Sequence, residues 1–389
     1  MSANSEFFGQ RGDQAVLKHG LLARYAHYFA GRAGAATQGQ VAFIDGYAGE
    51  GRYEDGSPGS PLLLASQATR AELFGRHVKL ALVEQDASRR GRLQESLSEA
   101  DVVPDQILGG SFEAEIHGLL DRYAGHAVLL FVDPFGLGIS RPTLQQILGR
   151  RSRSQPIDVL YHFSLLTVAR MGRAGVVEGP MTERNAQLLD TALGFSDWRV
   201  DFDQAVAPAA PTEAALRVSR RFGDAVRAET RTRVTSIPVR QRPGHLPKYL
   251  LMLASADRKA HWDFADQAAK AHIDWLYHCD RADYDANVRQ RDESGVMELF
   301  PSPEPDEEEI EEQLKRDAER YLPDHISDLL RQRREIRPVD VVEEVYGEML
   351  GRARATHVRA AIKMLHERGV VHDDGKGSYW DRPIRWTGS

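Results

Sequence analysis

A single cysteine, Cys279, stands among 389 residues, which excludes an intramolecular disulfide framework and any cysteine-built zinc site. That usage belongs to a reducing compartment, and a cytoplasmic location is the expectation. Long apolar runs are missing as well. Stretches such as Ala127–Val132 and Tyr249–Ala254 fall far short of the ~20 residues that a membrane-spanning helix needs. The N-terminal MSANSEFFGQRGDQ holds no apolar core of the kind a secretory signal carries. Neither sign of charge dominates. Fifty basic against 57 acidic residues leave −7, which argues against a surface coated all over with nucleic acid. The hydrophobic content, 42%, is nonetheless ample for cores without staples, and the length implies two or three units.

Strand and helix patterns alternate from the N-terminus. Residues 13–30 carry Leu17, Leu21, Leu22, Tyr25 and Phe29 at helical spacing. A buried strand is expected at Val41–Ile44, then a Gly-rich loop to Ser60, where Ser60-Pro61 opens a helix to about Leu73. Lys79–Val83, Gln106–Leu108, Ala127–Val132 and Ile157–Phe163 read as further strands, and Ala87–Glu99 as a helix. Apolar strands alternating with helices imply a parallel sheet covered on both faces. Residues 165–230 read as mostly helical, an insertion or a cover over the sheet. Val234–Val239 and Tyr249–Ala254 read as an antiparallel pair that finishes it, with a helix near 258–278 to follow. Residues 301–319, proline-rich and then carrying seven acids in the nine residues 304–312, read as a solvated linker. Beyond 320, three short helices (324–334, 338–350, 355–368) and a strand–turn–strand with Gly375 and Gly377 in the turn predict a winged helix-turn-helix. The expected fold is therefore α/β: a doubly wound, Rossmann-like sheet over 1–300, helically inserted at about 165–230, with a winged helix-turn-helix over 320–389.

The chemistry-bearing residues cluster at strand ends. Asp45-Gly46-Tyr47-Ala48-Gly49-Glu50-Gly51 places an acid and closely spaced glycines where a backbone can approach a ligand without a Cβ in the way. The carboxyl edge of a parallel sheet is where such folds bind ligands. The loop has neither a G-x-G-x-x-G nor a G-x-x-x-x-G-K-[ST] pattern, and it resembles instead the first motif of S-adenosylmethionine methyltransferases. Glu84, followed by Gln85, ends the next strand, where a carboxylate can accept two hydrogen bonds from a ribose diol. Gly109-Gly110-Ser111-Phe112 ends the third. There Ser111 can hydrogen-bond an adenine, while Phe112 is either its stacking face or core. Asp133-Pro134-Phe135-Gly136 follows the fourth strand: Asp133 can hydrogen-bond an amine or hydroxyl acceptor, Pro134 stiffens the turn and Phe135 can stack a planar ring.

The set Lys18-His19, DGYAGEGRY, DGSPGSPL, LVEQD, GGSFE and FVDPFGLG resembles the three-Cys-motif partner family, TcmP, across residues 14–138. The resemblance implies a methyltransferase-like fold, S-adenosylmethionine as cofactor, and association with a radical-SAM-like protein carrying three cysteines. The same markers are similar to a ribosomal-RNA adenine-N6 methyltransferase family, in which the histidine matching His19 contacts cofactor. That family's Asp-Pro-Pro-Tyr stands here as Asp133-Pro134-Phe135-Gly136, so the acid is kept and the terminal aromatic is not. The expected activity is methyl transfer to a nucleic-acid base or nucleotide-like acceptor. The alternative is a non-catalytic partner or scaffold whose winged helix binds DNA or protein.

Residues 217–242 hold eight arginines against Asp224 and Glu229. Arg220, Arg221, Arg231 and Arg233 are the expected phosphate contacts there, with Arg359 and Lys363 on the presumptive recognition helix 355–368. Residues 324–389 carry 12 basic and 11 acidic residues, a low balance for a dedicated DNA binder. His272 and His278 stand six residues apart, on different helix faces, and read as structural; no metal is expected.

Overall fold

The computed structural model describes residues 13–134, 136–176, 182–203, 210–294 and 303–388. The chain divides into two compact units, one built on Leu22–Arg240 and His245–Asp257, the other on Gly12–Leu21, Gln241–Gly244 and Arg258–Ser389. The first helix, α1 (Asp13–Ala36), contributes to both.

The first unit runs β1 (Gln40–Asp45), α2 (Ser60–Glu72), β2 (His77–Val83), α3 (Ala87–Glu99), β3 (Gln106–Leu108), α4 (Phe112–Arg122), β4 (Ala127–Val132), α5 (Arg141–Gly149) and β5 (Ile157–Ser164). Four helices follow, α6 (Leu165–Val176), α7 (Thr182–Leu193), α8 (Arg199–Asp203) and α9 (Ala210–Thr230), and then β6 (Arg233–Val239) and β7 (Tyr249–Ser255). The strands lie in the order β3-β2-β1-β4-β5-β7-β6. β1 to β5 are mutually parallel, and β7 is antiparallel to both β5 and β6. This is the doubly wound, Rossmann-like sheet expected. Its order reverses between β1 and β4, the switch point at which such sheets open a crevice.

Alternation along the strands sorts the two faces. Ile44, Val83, Val132, Tyr161 and Phe163 share a core with α4 to α9, in which Phe222 of α9 packs on Tyr161 and Phe163 with ring centroids 5.8 and 5.5 Å away. The helices of 165–230 are thus a cover over one sheet face. By the same alternation Asp45, Glu84, Asp133, Asp158 and His162 belong to the opposite face. Asp158 is buried there. It accepts from Tyr25 Oη (2.7 Å) and Arg32 Nη2 (3.1 Å) of α1 and from Ser255 Oγ (2.5 Å) of β7. Burial pushes its pKa up, against the pull of Arg32 and those hydrogen bonds.

The second unit contains α10 (Arg258–Ser294), α11 (Glu307–Arg333), β8 (Glu335–Ile336), α12 (Val342–Tyr346), α13 (Ala355–Glu367) and β9 (Ile384–Arg385). Two boundaries differ from expectation. The acid run is helix rather than linker from Glu307 on. Asp306 caps α11 by accepting from the Glu308 N–H (2.9 Å), and Glu307, Glu308 and Glu309 fill the first turn, where the helix dipole favours negative charge. Helix α10, placed in the first domain by sequence, groups with the second unit. Trp262 is the physical reason: it is buried among Leu322, Ile326, Val358 and Ile362, with Tyr346 and Tyr379 at 5.3 and 5.9 Å. The hairpin expected within 370–380 is replaced by a one-residue bridge, Val371 to Trp386, and a β8–β9 pair. No helix among the described residues is long and apolar enough to cross a membrane.

Candidate functional site

Residues 45–60 form a loop laced to its surroundings by backbone hydrogen bonds. Gly46 N–H donates to Phe131 O and Ala48 N–H to Val83 O, both at 2.9 Å, so the start of the loop is held between β4 and β2. Asp45 is fully buried at the end of β1, level with Leu82 and Phe131, one pleat below Glu84 and Asp133. Its Oδ1 accepts from the Tyr47 N–H at 3.1 Å. Gly51 has φ +82°, and a Cβ there would stand 2.9 Å from Ser96 Cβ, so both backbone and space require glycine. Gly49 has φ +64°, and a Cβ built on it would meet nothing within 4 Å: the loop is open above it.

Glu84 is the buried acid that ties this loop to β2. Its Oε2 accepts from Gly49 N–H (2.9 Å) and its Oε1 from Asp86 N–H (2.8 Å). A carboxylate has about four lone-pair sites, so each oxygen retains one after these bonds. The remaining pair matches a vicinal diol. Gln85 beside it is exposed. Arg90, which sequence reasoning passed over, completes this edge. Its guanidinium donates to Glu84 O (2.9 Å) and Gln85 O (3.3 Å), and lies 2.8 Å from where a Cβ of Gly109 would be.

The adenine expectation divides. Ser111 caps α4, its Oγ accepting from Ala114 N–H at 3.3 Å, and keeps its hydroxyl proton to donate. Phe112 is core rather than a stacking face. It is 2% exposed, covered by Gly46, whose Cβ would fall 2.6 Å from the ring, and by Tyr47 at 5.6 Å. Tyr47 is half-buried. Burial, then the Glu113 carboxylate, pushes its phenol well above the ordinary value, so it stays protonated.

At the other side of the switch point, Asp133 leaves β4 and Pro134 is buried; Phe135 lies outside the described residues. His162 of β5, which was hidden in an apolar strand pattern, sets its Nδ1 3.4 Å from Asp133 Oδ1. His19 is buried on the part of α1 that belongs to the second unit.

The expected phosphate contacts fare unevenly. Arg221 ion-pairs with Asp197 (2.9 Å) and with Asp201, and lies over the Phe195 ring, so its charge is largely met within the insertion. Arg220 and Arg231 are exposed, and Arg233 opens β6 opposite Ser255. In the second unit Arg359 and Lys363 are exposed on α13. Arg359 lies 5.2 Å from the Tyr379 ring centroid, and Lys363 pairs with Glu367 at 3.7 Å.

No family model and no curated protein matches this chain, so the three-Cys-motif resemblance gains no support there. Solved structures share parts of it. An rRNA methylase from Streptococcus thermophilus is 12% identical, with 59% of this chain and 94% of that one covered and a TM-score of 0.26. The plantazolicin methyltransferase BamL, solved with a triazolic desmethylPZN analogue and SAH, is 10% identical over 63% and 85%, at 0.28. The cyclopropane synthase MmaA2 from Mycobacterium tuberculosis is 11% identical over 67% and 72%, at 0.23. Scores this low transfer neither ligand nor activity, and the functional reading rests on this chain's own site.

Proposed function

We propose that this chain is an S-adenosylmethionine-dependent methyltransferase whose acceptor is a nucleic-acid base or a nucleotide-like molecule. One observation carries the reading: around the β1/β4 switch point, Asp45, Glu84 and Asp133 occupy the same sheet face at the same carboxyl edge, beside an open glycine loop. The residues fit the cofactor. The two remaining acceptor sites of Glu84 suit the ribose diol, Ser111 suits a ring nitrogen, and the open backbone at Gly49 leaves room for the group between them. When bound, it supplies a methyl carbon on cationic sulfur, which goes to an acceptor lone pair while the C–S electron pair stays on sulfur. Asp133 meets the acceptor, orienting its N–H or O–H and accepting the proton. The exposed Arg220 and Arg231 favour an anionic acceptor, as does α13 with Arg359 and Lys363 if the second unit is a winged helix-turn-helix.

The test is transfer of a labelled methyl group from S-adenosylmethionine to RNA, DNA and nucleotide pools, beside calorimetric titration of cofactor and S-adenosylhomocysteine. Wild type is expected to bind both in the micromolar range and to label one pool. Asp133→Ala is expected to keep the binding and lose at least about 100-fold in turnover. Folded wild type that binds neither ligand refutes the proposal.

A further inference from the structure

We propose that His162 is a positioning residue for Asp133: its imidazole holds one carboxylate oxygen, so that the other takes the proton of the amino or hydroxyl group being methylated. This rests on the methyltransferase reading. The observation is a juxtaposition that 29 residues of sequence separation hide (162 minus 133). β4 and β5 run parallel with Val132 opposite Tyr161, which sets Asp133 and His162 side by side one residue nearer the carboxyl edge. Nδ1 and Oδ1 are 3.4 Å apart, and the two side chains are only 15% and 19% exposed.

Two further contacts fix the pair. Tyr249, the first residue of β7, meets the imidazole edge to face, with ring centroids 4.1 Å apart at 87°, and so sets the plane of the ring. Gly138 lies against both Pro134 and the backbone of His162. A Cβ on Gly138, at φ +86°, would stand 3.3 Å from Pro134 Cγ and 3.5 Å from His162 O. Thus β7 holds the histidine from one side, and Gly138 is seated on the histidine's own backbone.

The 3.4 Å separation is a contact longer than a charge-assisted hydrogen bond; closed up with Nδ1–H donating to Oδ1, it restrains the last torsion of the aspartate and keeps its charge in a partly buried place. Placement to within an ångström governs rates where the chemistry depends mainly on alignment. The arrangement also selects the acceptor. A primary or secondary amino group or a hydroxyl has a proton to lose: it moves to the second carboxylate oxygen of Asp133 and from there to water. A tertiary amine or a thioether has none, and makes no use of the pair.

The experiment uses the full-length chain with ¹⁵N-labelled histidine, with S-adenosylhomocysteine present, as wild type, Asp133→Ala and His162→Asn. The His162 ring is assigned by its loss in His162→Asn. A proton on Nδ1 in wild type that shifts toward Nε2 in Asp133→Ala is expected, and a ring pattern identical in the two overturns the proposal. In parallel, His162→Ala is expected to lower kcat for labelled methyl transfer by about 10- to 100-fold with the KM for cofactor unchanged. His162→Asn, which keeps an N–H near the position of Nδ1, is expected to recover most of that loss. Equal kcat in wild type and His162→Ala also overturns the proposal. Absence of transfer by wild type strikes the methyltransferase reading instead, and the ring pattern still decides the pairing.

Discussion

Glu84 does two things with one carboxylate. It fastens Gly49 and Asp86 through their N–H groups, and in the proposed function its outer lone pairs take the ribose diol. Glu84→Ala therefore removes a ligand contact and frees the loop that lines the site. Calorimetric titration should show S-adenosylhomocysteine bound at least about tenfold more weakly, about 1.4 kcal/mol. Glu84→Gln should lose nearly as much, because its amide nitrogen is a donor facing a donor. The acid was legible as a carboxylate ending an apolar strand. Arg90 and His162 were not: Arg90 reaches Glu84 O through the fold of the β2–α3 turn, and His162 meets Asp133 only through strand pairing. Phe112 shows the converse. An aromatic after Gly-Gly-Ser is chemically fit to stack a base, and packing beneath Gly46 makes it core.

Among the elements, the α6–α9 cover depends on close approach at small residues. A Cβ on Gly172 of α6 would lie 2.4 Å from the Phe202 ring, inside the core of the first unit. Gly172→Ala should cost about 1–3 kcal/mol, seen as a lower urea midpoint with unchanged m. A second joint links β2, β3 and α4 through Asp105, which accepts from Tyr123 Oη (2.8 Å) and Arg122 Nε (3.1 Å) and pairs with Lys79 (3.4 Å). Burial alone would raise its pKa, but the Tyr123 and Arg122 hydrogen bonds outweigh burial and hold it below the ordinary carboxylate value. A depressed folded-state pKa contributes stability above the unfolded value of about 3.9, and that contribution disappears as pH falls through the folded value. Asp105→Asn should therefore be less stable than wild type by about 1 kcal/mol at pH 7, with the gap closing below about pH 4 in urea titrations. The element types themselves followed from periodicity. The start of α11 did not, because seven clustered acids read equally as solvated chain and as the favoured first turn of a capped helix.

For the molecule as a whole, the second unit has a core of its own. Trp262, with Leu322, Ile326, Val358 and Ile362 around it, anchors that core. Trp262→Ala should destabilise that unit by about 3–5 kcal/mol, read by calorimetry as a lowered transition. Methyl-donor binding by the first unit should change far less.

Local chemistry was enough to fix the first unit's strands, the glycine loop and the strand-end acids, because spacing of 2 or 3.6 residues and the conformational freedom of glycine act within a few residues of chain. The doubly wound parallel sheet was also legible, since apolar strands alternating with helices have few other ways to bury themselves. Which long helix joins which core, which aromatic is buried, and that His162 stands against Asp133 depended on contacts between segments far apart in sequence. Burial and strand register are properties of the packed chain, and no local pattern encodes them.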